Sequence, residues 1–185
     1  ALLDVDYSFS DKNVMLRGVT TSAEAKNALL KELARKGYTV MDCLELLPDV
    51  KGLEGKTCGI INVSVANMRV APDFSSEMMT QSLMGMPVRV LQRDGWVRIQ
   101  TPDNYIAWVH RVGVHPVTEE EMAAWNKAEK IVVTAHYGFV YSEPNQTSQT
   151  VSDVVAGNRL KWEGSKGAFY KVTYPDGRRG YISKS

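Results

Sequence analysis

The sequence holds few of the residues on which disulfide, metal and nucleophilic chemistry depend. Two cysteines, Cys43 and Cys58, are too few for a disulfide scaffold and leave the redox compartment open. The three histidines, His110, His115 and His136, lie 5 and 21 positions apart, without a His-x-His or Cys-x-x-Cys pair beside them. Because metal ligands recur at close spacings, this pattern predicts no metal site, and nothing else in the sequence implies a cofactor.

Long apolar runs and a strong charge of either sign are also missing. No segment approaches the ~18 residues that a membrane-spanning helix needs, and no basic-then-apolar signal segment opens the chain. The chain does not begin with Met, which we interpret as a processed or trimmed form. A net charge of +1 argues against a dedicated nucleic-acid binder. Residues 132–185 hold seven Lys/Arg against four Asp/Glu, and this local excess favours an acidic partner.

Residues 1–50 predict a small α/β unit. Period-two alternation in the stretches LLDVDYSF and NVMLRGV is typical of half-buried strands. Thr21 and Glu24 have the spacing of a capping box, so a helix is expected to begin there, and Gly37 is expected to end it. The stretch YTVMDCLEL returns as a strand. The predicted order is therefore β-β-α-β.

Short β segments separated by turns follow a linker. Residues 47–59 contain one proline and three glycines, and we interpret them as the linker. From residue 60 onward, turn residues recur every 8–12 positions, which is typical of a small barrel or sandwich. The predicted fold class is mainly β, with two SH3-like small β-barrels and the N-terminal α/β unit.

The two barrels are predicted from an internal repeat, which divides the β region into modules at residues 60–115 and 131–185. A shift of 72 positions, which becomes 73 after one inserted residue, brings turn residues and aromatics into the same order. An ordered set with a single gap is the pattern of a duplicated module. The aligned pairs include Pro72 with Pro144, Gly85 with Gly157, Trp96 with Phe169, Pro102 with Pro175, and Trp108 with Tyr181.

Residues 116–130 predict a helical connector between the modules. Thr118 and Glu121 form a second capping-box pattern. Met122 and Trp125 are three positions apart, so they share a helix face that is expected to pack on one of the modules. We interpret Trp125 as filling the seam between the modules.

The order of features within each module resembles the bacterial SH3 domain. In the first module the matching stretches are VANMRVAPDFSSE, TQSLMGMPVRV, GWVRI and YIAWV. The resemblance implies a small barrel with a long loop after the N-x-R-x-x-P segment. Ala107 stands where such domains usually carry glycine, whereas Gly180 keeps the glycine in the second module.

Two such modules behind a small N-terminal unit are similar to the front half of NlpC-type cysteine peptidases. The TQSLMGMPVRV run is similar to the dipeptidyl-peptidase VI group, γ-D-glutamyl-L-diamino acid endopeptidases that trim peptides released from bacterial cell walls. In that family a D-C-S-G nucleophile motif with a downstream His follows the modules. Here Asp42-Cys43 precedes them and continues with Leu44-Glu45. A nucleophilic Cys needs a His within reach, so we expect no catalytic residue in this chain, whose parent protein is a candidate cysteine peptidase.

Trp96 is a candidate ligand contact by strand alternation. Val97 and Ile99 suit the core, which turns Trp96 toward the outer face or a groove. Trp108 shares a side with Ile106 in the closing strand, and we interpret it as packing.

Three further candidate contacts follow from the resemblance. It implies that Tyr105, just before the closing strand, helps to receive the free amino end of a substrate. The acidic residue that contacts this amine in the family corresponds to Met79 here. Glu77, two positions earlier, is the carboxylate that could supply the counter-charge an ammonium group needs.

Several functions remain open from the sequence. The chain is expected to be a non-catalytic recognition and scaffold region that binds a peptidoglycan-derived peptide of the L-Ala-γ-D-Glu type, or a peptidase catalytic domain. The alternative is a stand-alone SH3 protein of the bacterial envelope or periplasm, with the cytoplasm also open. A receptor for proline-rich peptides needs a groove of exposed aromatics, and Arg69 and Ala71 do not supply one in the first module. Tyr137, Phe139 and Tyr141 alternate along one strand of the second module, either as such a groove or as barrel filling.

Overall fold

A computed structural model describes residues 1–184, in two compact units that divide after Glu54. In the first unit, β1 pairs antiparallel with β2, and β2 pairs in parallel with β3. Parallel neighbours need a crossover connection, which the helix provides. The predicted β-β-α-β order is therefore confirmed. The elements are β1 (Leu3–Ser10), β2 (Asn13–Thr20), α1 (Ala23–Arg35) and β3 (Thr39–Leu46).

Helix α1 begins one residue later than the capping-box prediction. Ser22, rather than Thr21, is the N-cap, and its hydroxyl accepts a hydrogen bond from the Ala25 amide at 3.1 Å. The Thr21 hydroxyl instead accepts from the Leu2 amide at 2.8 Å. The prediction was wrong because a partner distant in sequence occupies Thr21. Leucines of the helix cover a sheet core that consists of Val14, Leu16 and Leu44.

From residue 55 onward the chain forms a first small barrel. Its seven-stranded sheet has the order β10-β4-β7-β8-β9-β5-β6. Cys58 and Gly59, which we assigned to the linker from sequence, begin the first strand of this sheet. The strands are β4 (Cys58–Ile61), β5 (Val65–Arg69), β6 (Met78–Leu83), β7 (Pro87–Asp94), β8 (Trp96–Gln100), β9 (Ile106–His110) and, after a 3-10 turn at Arg111–Gly113, β10 (Val114–Val117).

A connecting helix and a second barrel follow. The six-stranded sheet has the order β11-β14-β15-β16-β12-β13. The mainly β fold class is confirmed, whereas the domain limits inferred from the sequence stay predictions. The elements are α2 (Glu119–Lys127), β11 (Lys130–Val132), β12 (Tyr137–Tyr141), β13 (Thr150–Val155), β14 (Arg159–Lys166), β15 (Phe169–Thr173) and β16 (Arg179–Ser183).

The strand register confirms the internal repeat. The pairing of β8 with β9 recurs residue for residue in β15 with β16, so that Trp96 faces His110 and Phe169 faces Ser183. Strands β5 and β6 recur as β12 and β13, including a bulge in the second strand of each pair. The extra residue of the second copy lies in the turn between β14 and β15.

Helix α2 packs on the first barrel, as the sequence predicts. Thr118 and Glu121 make both bonds of the capping box, at 3.2 and 2.8 Å. Trp125 is buried together with Ile60 and Val117, and Met122 packs against the same cluster. These contacts fix the direction in which the chain leaves the first barrel.

The two barrels share part of one core. Met84, in the turn between β6 and β7 of the first barrel, is 1% exposed and belongs to the core of the second barrel. The Arg159 amide of the second barrel donates to the Met84 carbonyl at 3.0 Å. The neighbouring Gly85 carbonyl accepts from the Trp125 indole nitrogen at 3.2 Å. The barrels are therefore joined by apolar packing and by hydrogen bonds.

Candidate functional site

Tyr105 lies at the tip of the β8–β9 hairpin and is 47% exposed. The Thr101 amide donates to the Tyr105 carbonyl at 3.0 Å, and the Tyr105 amide donates to the Thr101 hydroxyl at 3.1 Å. Asn104 completes the turn in the left-handed region, with a φ of 71°, which asparagine tolerates better than most residues. Because Thr101 is buried, the turn is anchored and presents the Tyr105 ring in a defined place. In the second barrel the equivalent residue is Arg178.

Glu77 and Met79 lie at the same end of the first barrel's sheet as Tyr105. Strand β5 pairs with β9 through Arg69 and Trp108, and the antiparallel sense brings the end of β5 and the start of β6 beside the start of β9. The Glu77 carbonyl accepts from the Val70 amide at 3.1 Å. Met79 is the extra residue of the β6 bulge, and both side chains are exposed. The topology therefore places Glu77 and Met79 at strand ends that neighbour the start of β9.

Trp96 belongs to a different surface. It begins β8 and pairs with His110 at the end of β9, four strand steps of ~3.3 Å, or about 13 Å, from the hairpin tip. Its ring contacts those of Phe74 and His110, with centroids 4.8 and 5.3 Å away. These rings and Arg69 help to line a cleft of about 270 Å³. Val97 is buried on the opposite face, so the predicted outward orientation of Trp96 is confirmed.

The loop that places Phe74 in this cleft is stabilised by hydrogen bonds between its own residues. The amide and hydroxyl of Ser75 donate to the Asp73 carboxylate at 2.7 and 2.8 Å, and these bonds lower the pKa of Asp73. The same two bonds recur in the second barrel between Thr147 and Asn145, at 3.0 and 3.1 Å. The repeat thus preserves a loop geometry that sequence reasoning did not single out.

Trp108 packs on the outer face of the sheet and not in the barrel core. Ala107 and Val109 point into the barrel, which leaves Trp108 half-buried on the outer face. The Arg98 guanidinium lies 5.3 Å from the centre of its ring, and the attraction between a cation and an aromatic face holds the pair together. The outward orientation of Trp108 could be predicted from alternation along β9, because Trp108 and Ile106 share the face opposite Ala107.

The aromatic residues of β12 do not fill the second barrel. Tyr137 and Phe139 are 60% and 38% exposed, whereas Val140 on the other face is fully buried. Together with Tyr141 they line a groove of about 400 Å³. Of the two readings that the sequence left open, the structure selects an exposed aromatic groove.

The environment of Cys58 does not activate its thiol. Burial, with a smaller contribution from the Glu119 carboxylate, raises the pKa of the Cys58 thiol, the opposite of what a nucleophile needs. Within residues 1–184 no group of three or more His, Cys, Asp or Glu side chains could hold a metal ion. None of the helices in that same range is long and apolar enough to span a membrane.

Two homologous barrels with these loops define a protein with tandem SH3-type domains, and comparison of sequences specifies the kind. Residues 68–112 match the family described as the bacterial dipeptidyl-peptidase Sh3 domain, and residues 136–185 match the bacterial SH3 domain. The chain therefore contains two bacterial SH3 domains, as its resemblance implied. No curated protein sequence matches the chain.

Comparison with solved structures finds similar chains. An NlpC/P60 family protein from Bacillus cereus ATCC 10987 is similar with a TM-score of 0.57 and 20% identity, over 69% of this chain and 54% of that protein. This chain thus corresponds to about half the length of that relative, with which it shares the fold. NlpC2 and NlpC1 from Trichomonas vaginalis align over 69% of this chain and 46% and 44% of theirs, with TM-scores of 0.29 and identities of 16% and 18%.

Proposed function

We propose that this chain is the non-catalytic recognition and scaffold region of a γ-D-glutamyl-L-diamino acid endopeptidase that acts on bacterial cell-wall peptides. The observation that carries the proposal is the exposed Tyr105, held by an anchored turn in a domain of the bacterial dipeptidyl-peptidase SH3 type. The fold shared with an NlpC/P60 family protein supports the same assignment. Such a region acts in the bacterial cell envelope.

Tyr105 and Glu77 are the proposed receptors for the free amino end of the peptide. An ammonium group is attracted by the face of an aromatic ring and by a carboxylate, and it is costly to desolvate without a counter-charge. Met79 supplies an adaptable apolar contact beside them. Because the Tyr105 backbone is already hydrogen-bonded on both sides, little conformational freedom is lost on binding.

Trp96 is a proposed contact only for longer wall fragments. It lies about 13 Å along the hairpin from the tip, so one ligand that reaches both Tyr105 and Trp96 has to extend over several residues. We therefore expect a short peptide to depend on Tyr105 and not on Trp96.

The amine-receptor role is tested by titrating the chain with an L-Ala-γ-D-Glu-containing peptide in two forms, with a free and with an acetylated amino end. We expect Tyr105→Ala to weaken the free form by at least about fivefold, the scale of one lost interface contact. Glu77→Gln should weaken the free form and leave the acetylated form unchanged. The control is Tyr7→Ala, another exposed tyrosine in the N-terminal unit. Equal affinity of wild type and Tyr105→Ala contradicts the Tyr105 role.

Two further measurements separate this proposal from its alternative, a stand-alone envelope protein that binds wall peptide or a protein partner. Purified chain added to muropeptides should give no cleavage, and cleavage contradicts the non-catalytic assignment. Reading the gene beyond the codon for residue 185 distinguishes the two candidates. A D-C-S-G motif there supports the endopeptidase, and an immediate stop codon supports the stand-alone protein.

A further inference from the structure

The sheet of the N-terminal unit has two edge strands, β1 and β3, and polar side chains cover the edge of β3. The Leu44 amide donates to the Asp42 carboxylate at 3.0 Å, and the Lys26 ammonium donates to the Leu44 carbonyl. Lys26 and Asp42 also form an ion pair, at 2.9 Å. Side chains placed in this way protect an edge strand, because its backbone groups are otherwise a template for another strand.

Strand β1 is the opposite edge, and it is built for pairing. It is eight residues long, contains no proline or lysine, and in the described structure pairs with β2 without a bulge. The Thr21 amide donates to the Leu2 carbonyl at 3.1 Å, so the backbone of Leu2 is directed toward β2. Since this direction alternates along an antiparallel ladder, the odd-numbered residues of β1 direct their amides and carbonyls to the open edge. They are Leu3, Val5, Tyr7 and Phe9.

The side chains of the same four residues form an apolar row. Val5 packs against the core of the unit, and because side chains alternate along a strand, the other three share its face. Leu3, Tyr7 and Phe9 are each more than half exposed. The rings of Tyr7 and Phe9 are in contact, with centroids 5.4 Å apart. An exposed apolar row along an open strand edge marks a surface on which another strand packs.

The other face of β1 specifies the strand that fits this edge. Two carboxylates, Asp4 and Asp6, stand in its first half, and two hydroxyls, Ser8 and Ser10, stand in its second half. A second copy of β1 that runs antiparallel brings the acidic half against the hydroxyl half. In a register centred on Tyr7, Asp6 lies opposite Ser8 of the second copy, and Asp4 lies opposite Ser10. The strand is therefore complementary to itself.

Charge selects this register over its neighbours. Because the outward-directed backbone groups alternate, the pairing moves in steps of two residues. One step sets Asp6 opposite Asp6 of the second copy, and the next sets Asp4 opposite Asp6. Like charges directly opposite each other destabilise a sheet, whereas pairs of aromatic and β-branched residues stabilise it. The register centred on Tyr7 avoids the first and supplies the second, since Val5 lies opposite Phe9.

We propose that the chain forms a homodimer in which β1 of one copy pairs antiparallel with β1 of a second copy, about a two-fold axis at Tyr7. The two three-stranded sheets become one continuous sheet. A two-fold interface is closed, because each copy uses the same patch. The outer edges of the joined sheet are the two β3 strands, which Lys26 and Asp42 protect, so assembly stops at two copies. The interface lies in the N-terminal unit and does not rest on the role proposed for Tyr105.

The dimer is tested by sedimentation equilibrium of the full chain over a range of concentrations. Wild type should show a reversible monomer–dimer equilibrium. Tyr7→Lys places two ammonium groups opposite each other at the axis and should weaken the dimer by at least about tenfold. Tyr7 is exposed and lies outside the buried core, so this variant is expected to fold. Met41→Lys, at an exposed apolar residue of β3, is the matched control and should dimerise as wild type does.

The register is tested by two opposite charges at one exposed position. Ser8→Lys sets an ammonium opposite Asp6 of the second copy, and it should strengthen the dimer about threefold or more at low salt. Ser8→Asp sets a carboxylate there and should weaken the dimer by a similar factor. Both effects should shrink at high salt, because exposed charges are screened. A merely structural role of Ser8 does not produce opposite effects of the two charges.

Four outcomes overturn the proposal. They are a chain that stays monomeric at every concentration, a dimer that Tyr7→Lys weakens no more than Met41→Lys does, equal effects of Ser8→Lys and Ser8→Asp, and a monomer that binds an extended peptide of alternating valine and lysine unless Tyr7 is replaced by lysine. The last outcome assigns the edge to a strand of another protein instead.

Discussion

The side-chain amide of Asn158 in the second barrel donates a hydrogen bond to the backbone carbonyl of Ser64 in the first, at 2.8 Å. Asn158 is 0% exposed, and its amide oxygen accepts from the Val155 amide at 3.0 Å. Beside it, the Ser64 hydroxyl donates to the Asp153 carboxylate at 2.6 Å. These hydrogen bonds join the two bacterial SH3 domains around the buried side chain of Asn158.

Removing this amide should destabilise the pair of barrels. In Asn158→Ala the Val155 amide loses this partner, and the Ser64 carbonyl keeps only the longer bond from the Met84 amide, at 3.4 Å. The lost hydrogen bonds are expected to cost about 1–3 kcal/mol in total. Urea unfolding followed by tryptophan fluorescence measures the change. Asn67→Ala, an exposed asparagine of β5, is the control and should stay within about 0.5 kcal/mol of wild type. Equal urea midpoints for the two variants contradict a stabilising role of the Asn158 side chain.

Gly85 should tolerate no side chain, because the second barrel lies directly against it. An added Cβ falls 2.3 Å from the Arg159 carbonyl oxygen, and φ is 83°. Gly95→Ala is a matched control, since Gly95 also has a positive φ, of 65°, but nothing within 4 Å of an added Cβ. We expect Gly95→Ala to cost about 1–2 kcal/mol from backbone strain, and Gly85→Ala to cost about 2 kcal/mol more from overpacking.

The two glycine variants are compared by urea unfolding under the same conditions. A difference in their free energies of unfolding reports the contact between barrels, because the cost of the positive φ is common to both. Equal stability of the two variants contradicts the close contact between the barrels at Gly85.

Met84→Ala should destabilise the second barrel, although Met84 belongs to the first barrel in sequence. Truncation leaves a cavity in the second core, and such changes cost about 2–5 kcal/mol. Met78→Ala, 50% exposed in the adjoining strand, controls for the loss of a methionine and should be nearly neutral. Hydrogen exchange at β12 and β16 should speed up in Met84→Ala, and protection unchanged in those strands contradicts the shared core.

Asp176 should make stability depend on pH in the acid range. Burial tends to raise the pKa of its carboxyl, but hydrogen bonds from Asn62 at 2.9 Å and Arg178 at 2.7 Å outweigh it and lower the pKa below 3.8. A carboxyl whose pKa is lower in the folded than in the unfolded state stabilises the fold at pH values above the unfolded-state pKa. This stabilisation is lost as the pH falls through the folded-state pKa.

We therefore expect Asp176→Asn to be less stable than wild type at neutral pH. The difference in stability should disappear as the pH falls below about 4. Thermal unfolding across this range measures it. Asp103→Asn, at the equivalent turn of the first barrel, is the matched control for loss of a carboxylate. A gap that is constant from pH 7 to the acid limit contradicts the role of Asp176.

Local patterns were sufficient to predict most of the fold. Val97 and Ile99 alternate with polar neighbours, and both are buried, because strand geometry alone sends successive side chains to opposite faces. The Thr118–Glu121 capping box formed because its partners lie within one helical turn. Thr21 has the same kind of pattern, but its hydroxyl accepts a hydrogen bond from the amide of Leu2, just before β1.

Ala107 stands where bacterial SH3 domains usually carry glycine, and the first barrel nevertheless keeps the same fold. A Cβ added to Gly180 falls 2.4 Å from the Val140 side chain, so the second barrel requires glycine there. In the first barrel the unbranched Met68 stands in place of the branched Val140, and Ala107 is buried.

The sequence by itself determined that two homologous barrels follow a small α/β unit, and which side chains of each strand face inward. Only the tertiary structure decided which outward residues meet. It set Trp96 against Phe74 and Trp108 against Arg98, and it placed Met84 of the first barrel in the core of the second. The physical reason is that alternation specifies a face of the sheet, whereas contacts across the sheet and between barrels depend on register, loop closure and packing.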